Sequence, residues 1–494
     1  MASYNSDTQA IRLRDNPMVG RMLIGGELVE SAGSSWVESV NPATEDFIGR
    51  VPAATPAHVE AAVTAAEAAQ PAWAALSVDE RTDYLFRLGD AIMERADELL
   101  GIEVADTGNP ITPMRGDILA GVKEMKYFAS LGYELRGETI PATPGNIHFT
   151  IRQPYGVAAR ILAFNHPIYF AIAGIGAPLT AGNSLLLKSS EHSPLSSLRL
   201  GEIVREVLPP GVVNIISGGP EAGQAIVRHP RIKRISFVGS DRTGMAIQRA
   251  AADVCVKNIS LELGGKNPFI VFPDAPVEQV AAAAVQTMNF AWQGQSCAST
   301  SRLFLHESIY ETVLNEVAAR VRNIRPGDPF SPQTKMGAVN SRMQLDKVKG
   351  YIDTAKAEGA RVVAGGARPE GPDYQKGYWM SPTVLADVEQ GMRIAREEVF
   401  GPVLSVIRWS DLDQVIAAAN SVQYGLTGVV WTNNIHDAMA TAKRLQAGNV
   451  YINGINTKFR AVPYGGFKNS GTGREGGIEE LRSYTEEKGI NIIG

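Results

Sequence analysis

Cysteine is nearly absent from this 494-residue chain, where only Cys255 and Cys297 occur. That is too few for a disulfide framework at this length. Histidine is scarce as well, with seven scattered copies, and no His/Cys/Asp cluster has metal-ligand spacing, so no catalytic metal is expected. Charge of one sign is not in surplus: 47 basic against 52 acidic residues leave a net charge of −5, which gives no general electrostatic reason to bind nucleic acid or an anionic membrane. The amino terminus carries no basic region followed by an apolar one, so no secretory signal is expected and a reducing cytoplasm fits. One stretch, Ile168 to Leu187, has about the length of a membrane span, yet Gly174, Gly176, Pro178, Gly182 and Asn183 interrupt it. It reads as a buried helix, a turn and a buried strand. Work on a small molecule is the expectation that remains.

The Gly-x-Gly-x-x-Gly fingerprint of dinucleotide sites is missing too; Gly218-Gly-Pro-Glu-Ala-Gly223 does not have its spacing. What is present is the length for two or three domains and, from Tyr155, a steady alternation of apolar strand and helix. Val157–Ala163, Ser184–Lys188, Val212–Ile216, Arg234–Val238 and Val256–Leu261 are short runs suited to strands buried on both faces, with helices about Pro167, Pro194, Pro220 and Asp241 between them. Right-handed crossovers make this an α/β, doubly wound parallel sheet, and such sheets bind ligands at the carboxyl ends of their strands. The residues at those ends are Asn165, Lys188 with Glu191, Ser217, Gly239 with Ser240, and Glu262. Cys255, inside Val254-Cys255-Val256, reads as part of a buried strand.

Before that sheet, the first ~20 residues are polar and expected to be loose. A hairpin is expected around Gly25-Gly26, an Ala-rich helix from Thr55-Pro56 to about Gln70, a second helix behind the capping box Ser77-Val-Asp-Glu80, and a third around Ile118 to Ser130. After Gly264 a second α/β unit follows, with a helix at 276–288, strands at Ser301–Leu305 and Val403–Ile407, and a helix near 307–322.

Cys297 stands in Asn289-Phe-Ala-Trp-Gln-Gly-Gln-Ser-Cys-Ala-Ser-Thr300, a small polar turn that leaves a thiol open to a ligand. Upstream, Leu261-Glu262-Leu-Gly-Gly-Lys-Asn-Pro268 ends an apolar strand on a carboxylate followed by two glycines. A carboxylate near a thiol can serve as its general base. In these two segments the chain resembles the aldehyde dehydrogenase superfamily, with its Gly-Gln-x-Cys and Glu-Leu-Gly-Gly-Lys motifs. Phe237-Val-Gly239-Ser240-Asp-Arg-Thr-Gly244 and Pro463-Tyr-Gly-Gly-Phe-Lys468-Asn-Ser-Gly-Thr-Gly-Arg474-Glu475 match further motifs of the superfamily in the expected order.

The resemblance implies roles. Cys297 would be the nucleophile, forming a thiohemiacetal and then a thioester, Asn165 would donate to the oxyanion, and Glu262 would activate the hydrolytic water. Lys188 and Glu191 would hold the adenosine ribose, Gly239, Ser240 and Gly244 the pyrophosphate turn, Glu398 the nicotinamide ribose, and Phe400 would pack beside the nicotinamide. A carboxylate at Glu191 bonds a diol and repels a 2′-phosphate, so NAD is favoured over NADP. Lys266 and Lys468 read as mainly structural.

Departures from the family pattern gather around the substrate: His166, Trp292 and Tyr464, joined by Tyr169, Phe290, Phe459, Lys458 and Arg460. They suggest an aromatic tunnel with polar tips. Two substrate classes fit, an aromatic aldehyde stacked on Trp292 or a semialdehyde whose distant carboxylate meets Arg460 or Lys458; the basic pair can also be read as solvated loop charge. A CoA-acylating dehydrogenase is the rival within enzymes, disfavoured by Glu262, and a non-catalytic binding or structural protein of the same fold is the rival outside them. The resemblance further implies an NAD-binding domain at 1–131 and 153–263, a catalytic domain at 264–470, and a β oligomerisation flap at 132–152 with 471–494, which makes a homodimer or homotetramer.

Overall fold

The computed structural model describes residues 13–30 and 35–494. Two large sheets carry the architecture. In the first, five parallel strands lie in the order Asn258–Glu262, Ile232–Val238, Val157–Ile161, Ser184–Lys188, Val213–Ile216. The central runs Val157–Ile161, Ser184–Lys188 and Val213–Ile216 are buried at every position, as strands covered by helices on both faces must be. The sheet is closed by antiparallel neighbours on both sides. The hairpin Met22–Ile24/Glu27–Val29 turns at Gly25-Gly26, both at positive φ, and pairs with the Val213–Ile216 edge. At the other edge Gly471–Thr472 pairs with Leu261 and Glu262.

The second sheet runs Arg361–Ala364, Thr383–Ala386, Val403–Trp409, Arg302–His306, Pro268–Val271, Thr427–Trp431, Asn449–Ile452, parallel except for its first strand. Pro268–Val271 follows Glu262 by a short turn, so the expected base and the middle of the second sheet share one continuous segment. A third, smaller sheet pairs Thr485–Ile492 with the full length of Ile147–Pro154, and Thr139–Ile140 with its other side.

Local signals account for the helices. Thr55 caps Pro56–Ala75 and Ser77 caps Val78–Glu94, each in a complete capping box. The first helix runs past the expected end at Gln70 and accommodates Pro71 within it. The helix expected around Ile118 begins earlier and spans Ile111–Ser130. The stretch Ile168 to Leu187 resolves into the helix Pro167–Thr180, the turn at Gly182 and the strand Ser184–Lys188, and no described helix is long and apolar enough to cross a membrane. Its glycines are set by close packing: a Cβ on Gly176 would lie 2.9 Å from the Met125 backbone in helix Ile111–Ser130.

Some expectations need correction. Cys255 is not in a buried strand; it is half-buried in the loop between helix Asp241–Ala252 and strand Asn258–Glu262, beside a Val256 that is 94% exposed. A three-residue apolar run is too short to specify a strand when the pairing edge begins only at Asn258. The helix Ala96–Thr107 and the small sheet of Met18–Val19, Phe47–Pro52 and Trp36–Val40 were not anticipated. The expected loose start lies mostly outside the described residues.

Candidate functional site

Cys297 lies between the two large sheets, on a loop whose backbone is bent hard: Asn289 and Gln293 adopt left-handed φ of 55° and 52°, which cost free energy unless surroundings hold them. The holding groups are amides. Asn267 Nδ2 donates to the Cys297 carbonyl (2.7 Å) and to the Ser299 carbonyl (2.9 Å), while its Oδ1 accepts from Thr427 N. From the other side Asn456 Nδ2 donates to the Ala298 carbonyl at 2.6 Å. Neither asparagine was singled out from sequence. Asn267 sits inside the quoted segment before Pro268, and its position after the two glycines was the one available signal.

Glu262 ends its strand with Gly239 N donating to its carbonyl and Gly471 opposite it in register. Its carboxyl is buried, and Oε1 has no hydrogen-bond partner. Burial pushes it up to about 8, with the Cys297 thiol pulling the other way and the Glu475 and Glu398 carboxylates adding to the rise. The thiol is itself held well above its usual range by burial and by the Glu262 carboxyl. Burial thus biases both groups toward their protonated forms. Tyr464 completes the group, its Oη 4.0 Å from Cys297 Sγ. It is delivered by the 463–475 motif, which folds back on itself through the Tyr464–Glu475 bridge and is tied to the Glu262 turn by Ser470 Oγ donating to the Gly264 carbonyl.

Asn165 is buried at the end of the first sheet, and its side-chain amide has no partner among the described residues. Its turn is clamped twice: Asn109 Nδ2 donates to the Asn165 carbonyl (3.1 Å), and Ile168 N donates to Glu103 Oε1 (3.1 Å). His166 packs on Trp292 with ring centroids 5.2 Å apart, which brings the Asn165 turn onto the Cys297 loop. His166 Nδ1 faces Asp117 Oδ2 at 2.7 Å, and Tyr169 donates to Glu124. Trp292 Nε1 is buried without a partner.

The residues expected to hold a dinucleotide lie along the strand ends. Lys188 Nζ donates to the Glu191 carboxylate (3.4 Å) and to the Ser189 carbonyl, leaving a half-buried carboxylate open to a diol. Ser240 caps helix Asp241–Ala252 by accepting from Thr243 N, so the N–H groups of the first turn stand beside it. The one carboxylate there, Asp241, is drawn aside by Gln423 and Tyr424. Glu398 is half-buried, accepts from Gly265 N (2.8 Å) and is raised to about 7, chiefly by desolvation; a Cβ on Gly264 would collide with it. Phe400 has a left-handed φ of 54° and meets Phe164 edge to face. The donor and acceptor set fits a nucleotide. Gly244 has a different use from its neighbours: a Cβ there would press on Leu263 at 2.8 Å, so it seats the helix on the strand end.

The substrate-side residues divide. His166, Tyr169, Trp292 and Tyr464 gather near Cys297, with Phe290 buried behind the loop, whereas Phe459 is 58% exposed and Arg460 is exposed beside it. Lys458 points inward, into an ion pair with Glu124. Lys266 is buried with Nζ unpartnered, and Lys468 Nζ donates to the carbonyls of Asn420 and Val422. Among the described residues no cluster of His, Cys, Asp and Glu could hold a metal ion.

The chain and its fold match known proteins. Residues 28–490 match the aldehyde dehydrogenase family. Aldehyde dehydrogenase tropH of Talaromyces stipitatus is 43% identical over 462 residues, covering 92% of this chain and 90% of its own. An aldehyde dehydrogenase of Bacillus cereus, solved as its NAD+ complex, superposes with a TM-score of 0.94 at 38% identity over 99% of both chains. Betaine aldehyde dehydrogenase of Staphylococcus aureus, also with NAD+, gives 0.95 at 34% identity over 99% of this chain and 98% of that one. With the thiol, the buried carboxyl and the strand-end cleft in one place, the chain belongs to the aldehyde dehydrogenase family and is an aldehyde-oxidising enzyme.

Proposed function

We propose that the enzyme oxidises an aromatic aldehyde to its carboxylic acid with NAD, through a thioester on Cys297. The observation that carries this reading is the buried carboxyl of Glu262 beside the Cys297 thiol, with the Tyr464 hydroxyl 4.0 Å from the sulfur. Glu262 takes the thiol proton, and Sγ bonds to the aldehyde carbon while the carbonyl electron pair moves to oxygen. The oxyanion is met by the free amide of Asn165 and the Cys297 N–H. Its collapse expels the aldehyde hydrogen with its electron pair and leaves a thioester. The nicotinamide, when bound, supplies the two-electron oxidant that takes this hydride. Glu262 gives that first proton up to solvent and then deprotonates a water that adds to the thioester carbon; the S–C bond breaks, the leaving thiolate takes the water's proton from Glu262, and acid and thiol are restored.

Solved relatives hold NAD+ or NADP, which supports a nicotinamide cofactor, and the carboxylate of Glu191 favours NAD over NADP. Trp292 and His166 supply an aromatic wall for an aromatic substrate. On this reading residues 1–131 and 153–263 form the cofactor unit and 264–470 the catalytic unit. The strand pair Ile147–Pro154/Thr485–Ile492 forms the contact between copies in a homodimer or homotetramer. The exposed Ile140, Ile147 and Ile492 on that small sheet support the last point.

The test follows nicotinamide reduction with aromatic, carboxylated, cationic and alkyl aldehydes, each with NAD and NADP, with and without coenzyme A. Reduction without coenzyme A, best for aromatic aldehydes, is expected. Reduction only when coenzyme A is present would replace the hydrolytic reading by the acylating one.

A further inference from the structure

The ammonium of Lys458 lines a cleft that ends at Tyr464, the neighbour of the Cys297 thiol, and the structure records what it is already doing. Lys458 Nζ donates to Glu124 Oε1 (3.0 Å) and to Tyr169 Oη (2.9 Å), and Tyr169 in turn donates to Glu124 Oε2 (2.9 Å). The triangle is closed: both carboxylate oxygens and the phenol hydrogen are used. One ammonium N–H has no partner among the described residues. Lys458 retains 28% side-chain exposure and, with Tyr451, Phe459, Val462 and Tyr464, lines a cleft of about 180 Å³. The cleft leads from the rim, where Phe459 and Val462 are exposed, to Tyr464, whose hydroxyl touches the reacting sulfur. Lys458 also lies 5.9 Å from the centre of the Tyr464 ring.

The charge around this ammonium is already balanced. Arg160, the nearby second cation, is buried and paired with Glu475 and Glu480. Glu124 neutralises Lys458 directly. Three carboxyl groups thus stand against two cations, so a further carboxylate brought in by a substrate would meet an ammonium whose charge Glu124 already offsets. A neutral oxygen can still accept the remaining N–H.

Resting on the functional reading above and refining its substrate, we propose that Lys458 is a specificity residue that hydrogen-bonds a neutral oxygen on the ring of an aromatic aldehyde, a hydroxyl or an ether, and that Glu124 positions it and excludes ring carboxylates. The semialdehyde with a distant carboxylate is thereby the disfavoured class.

The experiment compares kcat/KM for meta-hydroxybenzaldehyde, meta-tolualdehyde and meta-carboxybenzaldehyde. In these a ring hydroxyl, an equally sized methyl and a carboxylate occupy one place. The wild-type enzyme should favour hydroxyl over methyl by about tenfold or more, the worth of one hydrogen bond from a charged donor. It should also disfavour the carboxylate relative to methyl. Lys458→Met should bring the hydroxyl-to-methyl ratio to about one. Glu124→Gln is isosteric and leaves the ammonium uncompensated, so it should raise the carboxylate-to-methyl ratio by about tenfold or more. Ratios measured on one folded variant do not depend on its total activity. If Lys458→Met fails to fold, Glu124→Gln decides alone. A wild-type preference for the carboxylate, or ratios that neither variant moves, would overturn the proposal while oxidation of the tolualdehyde left the functional reading standing. No oxidation of any of the three by the wild-type enzyme would remove both.

Discussion

The side-chain amide of Asn267 holds the carbonyl of Cys297 at 2.7 Å, and the same nitrogen reaches the Ser299 carbonyl at 2.9 Å. The segment that carries Glu262 thus also fastens the loop that carries Cys297. Asn267→Ala leaves two carbonyls short of a donor, at about 1–3 kcal/mol for each that stays buried. The expected outcome is a lowered melting temperature and a kcat that falls further than KM for the cofactor rises. A variant with wild-type kcat would show that the loop holds its shape without this clamp.

Glu262→Gln keeps the shape of the base and removes its proton affinity. A stopped-flow trace should show a burst of reduced cofactor approaching one per subunit, followed by steady turnover slower by roughly 10² to 10⁴. Unchanged steady turnover would take Glu262 out of the base role.

The active form of a base is deprotonated, and burial raises Glu262 to about 8. Steady turnover limited by thioester hydrolysis should therefore climb as pH passes through about 8 and level off above it. The same profile measured on Glu262→Gln should lose that rise. A rise centred in the ordinary carboxylate range would contradict the burial argument.

Glu103 is buried, raised to about 8 chiefly by burial, and has Oε2 without a partner. Its folded value lies above its ordinary 4.5, so the stability it contributes is fully present below that ordinary value and is lost as pH rises through about 8. Glu103→Gln stays neutral throughout. Between pH 7 and 9 the melting temperature of the wild-type enzyme should fall by about 2 °C more than that of the variant; parallel slopes would sink the idea.

Glu191 is the residue expected to choose between cofactors. Glu191→Gln removes the negative charge that opposes a 2′-phosphate and should raise the NADP-to-NAD ratio of kcat/KM by about tenfold. An unmoved ratio would shift that choice to another residue.

Much of this was legible because it is local. Buried parallel strands announce themselves as short apolar runs, and the capping boxes at Thr55 and Ser77 need only neighbouring residues. The grouping of Cys297 with Glu262 came from motif resemblance. Long-range clamps were harder: nothing near Asn267, Asn456 or Asn109 in the chain says which distant carbonyl each will hold. Lys458 shows the same limit most clearly. In sequence it sits beside Arg460 and reads as a second loop charge, but its partner Glu124 lies on a helix far upstream, so its neutralisation could not be seen. Cys255 failed for the opposite reason, since a strand needs a paired edge and not merely valine neighbours.

The Gly471–Thr472 strand beside Glu262 and the Thr485–Ile492 strand at the periphery belong to one short ribbon of chain, joined by the helix Ile478–Arg482. Glu262, the base proposed above, is thus tethered within some twenty residues to the small sheet of Thr485–Ile492. Trimming the carboxyl terminus is therefore expected to slacken a leash whose other end steadies that proposed acceptor.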